Sequence, residues 1–352
     1  MRLSFYAPLK PPHDPVPSGD RTMARALLAA LDAGGVVCDL PCDFRSRDGK
    51  GDAAFQAARI AEAAALIPDI IAQGRDAGWQ GWLTYHSYYK APDLIGPAVS
   101  NALGIPYFLV EATRARKRLG GPWDAYAQAA EAACDTADVI FFLTQHDEIA
   151  LKSYAPAGQQ LIHLRPFLPL SELPPAAQPT KTMLSVGMMR PGDKLASYDL
   201  IAKSLAALSG DWSLEIAGDG PARPDVELRM APFGNRVKFL GQLDGDAMDA
   251  AYARACLLFW PGVNEAFGLT YLEAQARGVG VVAQDRPGVR DVLVPGQYPS
   301  PEAGVDGLVA LLQSTLAAPP NATSIRSYIA AHHLLPAARD TLCAGFSKGG
   351  IS

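Results

Sequence analysis

The segment Pro166-Phe167-Leu168-Pro169-Leu170-Ser171-Glu172-Leu173-Pro174-Pro175, followed shortly by Pro179, decides how this chain divides. Five prolines in fourteen residues can continue neither a helix nor a central strand, because each fixes φ and removes a backbone donor. Before this segment, short β-rich runs (3–7, 36–40, 82–85, 107–110, 139–143, 161–164) alternate with alanine-rich helical stretches (21–33, 53–72, 93–103, 124–134). After it the alternation restarts, with strands over 183–186, 213–217, 237–240, 257–260 and 279–283. Helices over 195–208, 247–254 and 268–277 separate them, a short one follows the second strand, and three more end the chain near 305–316, 324–333 and 336–346. Near-continuous apolar strands separated by helices predict parallel sheets covered on both faces. The expected fold class is therefore α/β, with two Rossmann-like doubly wound domains. We expect one domain over 1–166, a proline-rich linker over 167–180, a second domain over 181–334, and a terminal helix over 335–352 that crosses back to the first. Ligands of such sheets bind at the carboxyl ends of the strands, and the cleft between the domains is the expected site.

Composition narrows the function. The 352 residues carry a formal net charge of −5, and both halves are mildly acidic. A nucleic-acid polymer as main partner is excluded on that charge, because duplex binding needs a basic field. Hydrophobic residues at 49% against 19% charged residues exclude disorder. The five cysteines are sparse and odd in number, which argues against a disulfide framework. Cys38 and Cys42 have no second pair at ligand spacing and read as small apolar side chains. Met1 to Tyr6 run straight into Pro8, Pro11 and Pro12 without the apolar stretch of a signal peptide. The strongest apolar runs fall far short of a membrane span. A cytoplasmic protein is expected, with peripheral membrane contact left open.

The most informative chemistry lies in Asn264-Glu265-Ala266-Phe267-Gly268-Leu269-Thr270-Tyr271-Leu272-Glu273-Ala274. It follows a strand and the break Pro261-Gly262, and 266–276 reads as a helix with Leu269, Leu272 and Ala276 inward. Gly268 lets a ligand approach the backbone, and the N–H groups of Gly268, Leu269 and Thr270 form an anion site at the positive end of the helix. A diphosphate there has one carboxylate on either side, suited to hydroxyls rather than to phosphate. That pattern fits a nucleotide-sugar, one Glu on the sugar and the other on the ribose. On spacing alone, Glu265 as a helix-dipole partner and Glu273 as a surface residue stay open.

Glu265 and Glu273 also form an E-x7-E signature, and the segment resembles the family 4 retaining glycosyltransferases of GT-B fold, the group 1 glycosyl transferases. Glu273-Ala274-Gln275-Ala276, Gly278-x-Gly280-Val281-Val282-Ala283, Leu214-Glu215-Ile216-Ala217-Gly218-Asp219-Gly220-Pro221 and Val237-x-Phe239-Leu240-Gly241 are similar to that family as well. The likeness covers about 180–345 well and the N-terminal half loosely. It implies a hexosyl transfer from a nucleoside-diphosphate sugar to a glycan or lipid-linked hydroxyl, in cell-surface polysaccharide or glycoconjugate synthesis, with no metal or resident cofactor. It also implies donor contacts from Phe267, and a first domain that presents the acceptor. In Val186-Gly187-Met188-Met189-Arg190-Pro191-Gly192-Asp193-Lys194 the resemblance makes Arg190 and Lys194 the cations on the donor diphosphate. Two fixed cations stabilise a leaving diphosphate without a metal. The same segment imitates a P-loop through Gly187 and Gly192, but Asp193-Lys194-Leu195 stands where Lys and a hydroxyl residue are required.

Other candidates are less local. Gly19 sits where the family has a glycine loop against the donor, although a simple turn capped by Ser18 or Asp20 explains it equally. Asp244-Gly245-Asp246 spells a metal motif but precedes a helix and reads as an N-cap. His86 ends a strand and is a candidate for an acceptor or sugar contact. Where the family often carries a histidine after the next strand, this chain offers Glu111. The basic run Arg114, Arg116, Lys117 and Arg118 suggests either a solvated loop or an anionic acceptor. A nucleotide-sugar epimerase and a non-catalytic nucleotide-sugar-binding protein are the alternatives to transfer.

Overall fold

The computed structural model describes every residue except Pro17, Ala115 and Ser352. The chain forms two compact units, Met1–Arg165 with Leu335–Ser352, and Pro166–Leu334.

The first unit runs β1 (Arg2–Tyr6), α1 (Gly19–Ala33), β2 (Val37–Asp39), α2 (Ala53–Ala77), β3 (Gly81–Ser87) and α3 (Gly96–Leu103). It continues through β4 (Tyr107–Ala112), α4 (Asp124–Thr136), β5 (Val139–Phe142), α5 (Gln145–Ser153) and β6 (Gln160–His163). The strands form one parallel sheet in the order β2-β1-β3-β4-β5-β6. The second unit holds β7 (Thr182–Val186), α6 (Asp193–Ala207), β8 (Ser213–Ala217), α7 (Arg223–Met230), β9 (Val237–Gly241) and α8 (Gly245–Arg254). After these come β10 (Leu257–Phe259), α9 (Leu269–Ala276), β11 (Gly280–Val282), α10 (Gly304–Ala317) and α11 (Ala322–His332). Its parallel sheet has the order β11-β10-β7-β8-β9. The last helix, α12 (Leu335–Lys348), packs in the first unit, where Phe346 lies edge-on to Phe108 at 4.9 Å.

Local chemistry explains where the elements begin and stop. Asp52 caps α2 by accepting from the Phe55 amide at 3.1 Å. The helix runs through Pro68 and past the expected end at 72, stopping where Gly78 turns left-handed. The helix α5 has no counterpart among the helices that periodicity predicts. It is nearly polar all round, with Leu151 its only buried residue, so it carries little amphipathic signal. Its signature is the start: Thr144 accepts from the Asp147 amide at 3.2 Å and donates its hydroxyl to the Asp147 carboxylate at 2.7 Å. The helix expected from 93 begins at Gly96, because Asp93 turns its carboxylate onto the Ile95 and Gly96 amides. The proline-rich stretch lies along the second unit. Leu168 donates to the His333 carbonyl, Ala177 to Arg277, Gln178 to Ala253 and Thr180 to Arg254, each at 2.8 Å.

Both sheets have a topological switch point, where neighbouring strands send their connections opposite ways. In the first unit it falls between β1 and β3, and in the second between β7 and β10. The residues that follow these four strands are where bound molecules are expected.

Candidate active site

In the second unit, the connections after β7 and β10 meet. Lys194, second residue of α6, pairs with the Glu265 carboxylate, and the Trp260 indole donates to the same Glu265 oxygen at 2.9 Å. The Lys194 ammonium also lies 5.4 Å from the centre of the Trp260 ring. Glu265 is therefore an ion-paired, largely buried carboxylate and not a dipole partner, since α9 begins four residues later. Asn264 holds φ at 46°, in the left-handed region, and its amide donates to Asp193 at 2.9 Å. Val263 donates to the Ser197 hydroxyl at 3.1 Å, so the loop is tied to the first turns of α6. A Cβ on Gly288 (φ 82°) would lie 1.8 Å from the Ala266 carbonyl, which makes that close backbone approach possible only for glycine.

The helix expected from 266 starts at Leu269, because Gly268 (φ 80°) occupies the N-cap in a non-helical conformation. The first-turn amides of Leu269 and Thr270 have no carbonyl within the helix to bond. Phe267 is half-buried against the unit's core. Glu273 is no freely exposed surface residue: it is half-buried in the second turn and accepts from the Tyr252 hydroxyl at 2.6 Å. Burial pushes its carboxyl above the usual range, against the Tyr252 bond and the Arg277 charge. Arg190 is exposed, and among the described residues no carboxylate pairs with it. Asp244 caps α8, accepting from the Ala247 amide at 3.0 Å. Among the described residues no group of three or more His, Cys, Asp or Glu could hold a metal ion.

In the first unit, the switch point brings together residues from three segments. Gly19 opens α1 behind the Ser18 cap, and nothing lies within 4 Å of where its Cβ would be. Asp20 leaves the capping to Ser18 and accepts at 2.9 Å from His86 Nδ1. His86 (φ 61°) and Glu111 (φ 58°) sit near the ends of β3 and β4. With Asn264 they are the non-glycine residues at positive φ among those described, and strain of this kind gathers at functional sites. Glu111 Oε2 is buried without a hydrogen-bond partner, 3.8 Å from His86 Nδ1. Burial raises the Glu111 carboxyl, opposed by the His86 charge and the Tyr85 hydroxyl. Burial disfavours charge on His86, but Glu111 and Asp20 outweigh it and its pKa is raised. Trp260, Tyr252 and Asp20 were not expected at either site. Only an aromatic residue closing a strand before Pro261-Gly262 hints at the first.

Two parallel-sheet units with a switch point in each define a doubly wound α/β protein, and its fold is GT-B. Residues 180–316 match the family described as Glycosyl transferases group 1, and that segment belongs to it. A GDP-mannose-dependent alpha-mannosyltransferase of Mycolicibacterium smegmatis is 37% identical over 92 residues, 26% of this chain and 24% of the relative. A 2-deoxystreptamine N-acetyl-D-glucosaminyltransferase of Niallia circulans is 27% identical over 119 residues, 33% of this chain and 31% of the relative. The matches thus span about a quarter to a third of these relatives. Among solved structures, the lipopolysaccharide outer core galactosyltransferase WaaB in its apo form superposes with a TM-score of 0.72 at 15% identity, over 99% of this chain and 100% of that one. Anabaena Alr3699/HepE in complex with UDP-glucose gives 0.66 at 14%, over 99% of each chain. At these identities the structures establish the fold. Among the described residues no helix is long and apolar enough to cross a membrane.

Proposed function

We propose that this chain is a retaining glycosyltransferase of the hexosyl type, moving a sugar from a nucleoside-diphosphate sugar to a hydroxyl acceptor without a metal. The observation that carries this reading is the Lys194–Glu265–Trp260 cluster at the second unit's switch point, beside the open N-terminus of α9 and the unpaired Arg190. Without ligand, Lys194 is neutralised by Glu265. A diphosphate takes over Lys194, Arg190 and the amides of Gly268, Leu269 and Thr270, and frees Glu265 to accept from a hydroxyl of the transferred sugar. The Trp260 indole keeps that carboxylate in place. Glu273 has one oxygen committed to Tyr252 and offers the other to the ribose. Phe267 lines the donor site.

As the bond from the sugar's anomeric carbon to the diphosphate breaks, negative charge grows on the phosphate oxygens. Arg190, Lys194 and the helix amides stabilise that charge in place of a metal. The acceptor oxygen bonds to the same face of the carbon, and its proton passes to the departing phosphate, so no side-chain nucleophile is needed. The relatives support the donor class, since one is named for GDP-mannose and one solved structure holds UDP-glucose. The acceptor is a glycan or lipid-linked hydroxyl met by His86 and Glu111, as in cytoplasmic assembly of cell-surface polysaccharide. An epimerase is the second reading, because His86 and Glu111 supply an acid–base pair.

Incubation with UDP-, GDP- and TDP-hexoses, glycan or lipid-linked acceptors and EDTA should yield a glycoside with the donor's anomeric configuration by NMR. An inverted product, a strict need for added metal, or no turnover of any donor sinks the proposal. An epimerised sugar released without acceptor moves the assignment to the second reading.

A further inference from the structure

The basic run 114–118 does not act as one patch. Arg114 is buried and bonds to Glu131 at 2.7 Å and to Asp135 at 2.6 Å. Arg116 leans to Glu131 at 3.3 Å and stacks 4.1 Å from the Tyr154 ring centre. Arg118 turns another way, its guanidinium 4.8 Å from the Tyr89 ring centre and 5.9 Å from Trp123. Its Nε is buried without a partner, and among the described residues no carboxylate pairs with it.

Those rings belong to a continuous series. His86 lies 4.9 Å from Tyr88, Tyr88 5.5 Å from Tyr89, and Tyr89 5.6 Å from Trp123, the last two contacts edge-on. The frame beneath them is fixed. Tyr88 and Ala91 exchange backbone hydrogen bonds, which puts Tyr89 and Lys90 at the tip of a tight turn. The Trp123 ring packs on Gly51, where a Cβ would lie 3.3 Å from it. Lys90 adds a second cation, 5.7 Å from the Tyr89 ring and 5.6 Å from Trp123. Two acids on the flanking segments are engaged elsewhere: Asp48 holds the Lys50, Gly51 and Asp52 amides and Gln56, and Asp124 holds Gly120 and Gln128, while Asp20 and Glu111 bear on the Tyr88 end of the series, away from Arg118. Half-buried aromatic rings offer apolar faces for the C–H faces of sugar rings, while a guanidinium held by two rings and lacking an anion is preorganised for a carboxylate or phosphate.

We propose that Tyr88, Tyr89, Trp123, Lys90 and Arg118 form an acceptor subsite for an acidic saccharide, with sugar rings along the aromatic series and the acid group at Arg118 and Lys90. The proposal rests on the glycosyltransferase reading for its role in turnover, but binding at the subsite does not depend on transfer. The shared chemistry is a sugar bearing an anion, either a uronic carboxylate or a sugar phosphate.

The test titrates the whole protein, without donor, with a glucuronate-containing disaccharide, the matching neutral disaccharide, a sugar phosphate and inorganic phosphate, following the Trp123 indole N–H by NMR. The acidic sugars should shift that resonance and bind about tenfold tighter than the neutral one, while phosphate alone binds weakly. Arg118→Gln should erase this preference and Arg118→Lys restore part of it. In turnover, Arg118→Gln should raise the acceptor KM and leave the donor KM unchanged. Equal binding of neutral and acidic sugars, or a preference that survives Arg118→Gln, overturns the proposal. Selective binding without any transfer would leave the subsite standing and remove the transferase reading. If the carboxylate sugar binds and the phosphate does not, or the reverse, the acid group is identified.

Discussion

The two switch points occupy the same topological place in their sheets and have opposite chemistry. In the second unit a lysine faces a glutamate and an arginine stands unpaired, beside a helix start with free amides. In the first unit one histidine faces Asp20 and Glu111, with Asp147 close enough to raise both His86 and Glu111. One presents an exposed cation and unbonded amides, the other a histidine held among carboxylates. The difference teaches that matching sheets do not imply matching ligands, because the side chains on the loops, and not the strands, choose the chemistry.

The contrast is broken most directly at its charged ends. Lys194→Ala should lower kcat by about 10²–10³-fold, the scale of losing one preorganised group from developing negative charge. Glu265→Gln keeps the shape but loses the ion pair, and should fall in the same direction. If turnover of either variant stays near that of the parent protein, the second switch point is not where the diphosphate leaves.

A smaller effect sharpens the first unit. Glu111 and His86 both have folded-state pKa values raised above their ordinary ones, so the folded protein binds more protons than the unfolded chain. The stability they contribute is complete below the ordinary carboxyl and imidazole values, about 4.3 and 6.5, and is lost as pH rises through the raised values. Urea unfolding followed from pH 5 to pH 8 should therefore show stability falling with pH. Glu111→Gln should flatten the slope, with His86, still raised by Asp20, and Glu273, raised in the same sense, supplying the remainder. A slope unchanged by Glu111→Gln would falsify the coupling of this pair.

The same contrast explains what the sequence disclosed. The second site is written locally: Arg190 and Lys194 lie four apart, Glu265 and Glu273 eight apart, each group directly after an apolar strand. The sheets were legible for the same reason, because alternating apolar strands and alanine-rich helices repeat in order. The first site is spread over Asp20, His86, Glu111 and Asp147, and no spacing announces that the segments after β1, β3, β4 and β5 will come together. Its strained backbone at His86 and Glu111 leaves no mark in composition. The basic run at 114–118 leaves its two readings undivided for a related reason, since which cations face acids and which face rings is decided by tertiary packing.

Calorimetric titration of UDP and GDP, in EDTA, onto the parent protein, Lys194→Ala and Glu111→Gln compares the two switch points in one measurement. One nucleotide should bind the parent and Glu111→Gln alike and lose at least about tenfold in affinity for Lys194→Ala, the equivalent of ~1.4 kcal/mol. Equal binding to the parent and Lys194→Ala, or a loss confined to Glu111→Gln, would contradict the division of labour between the two units.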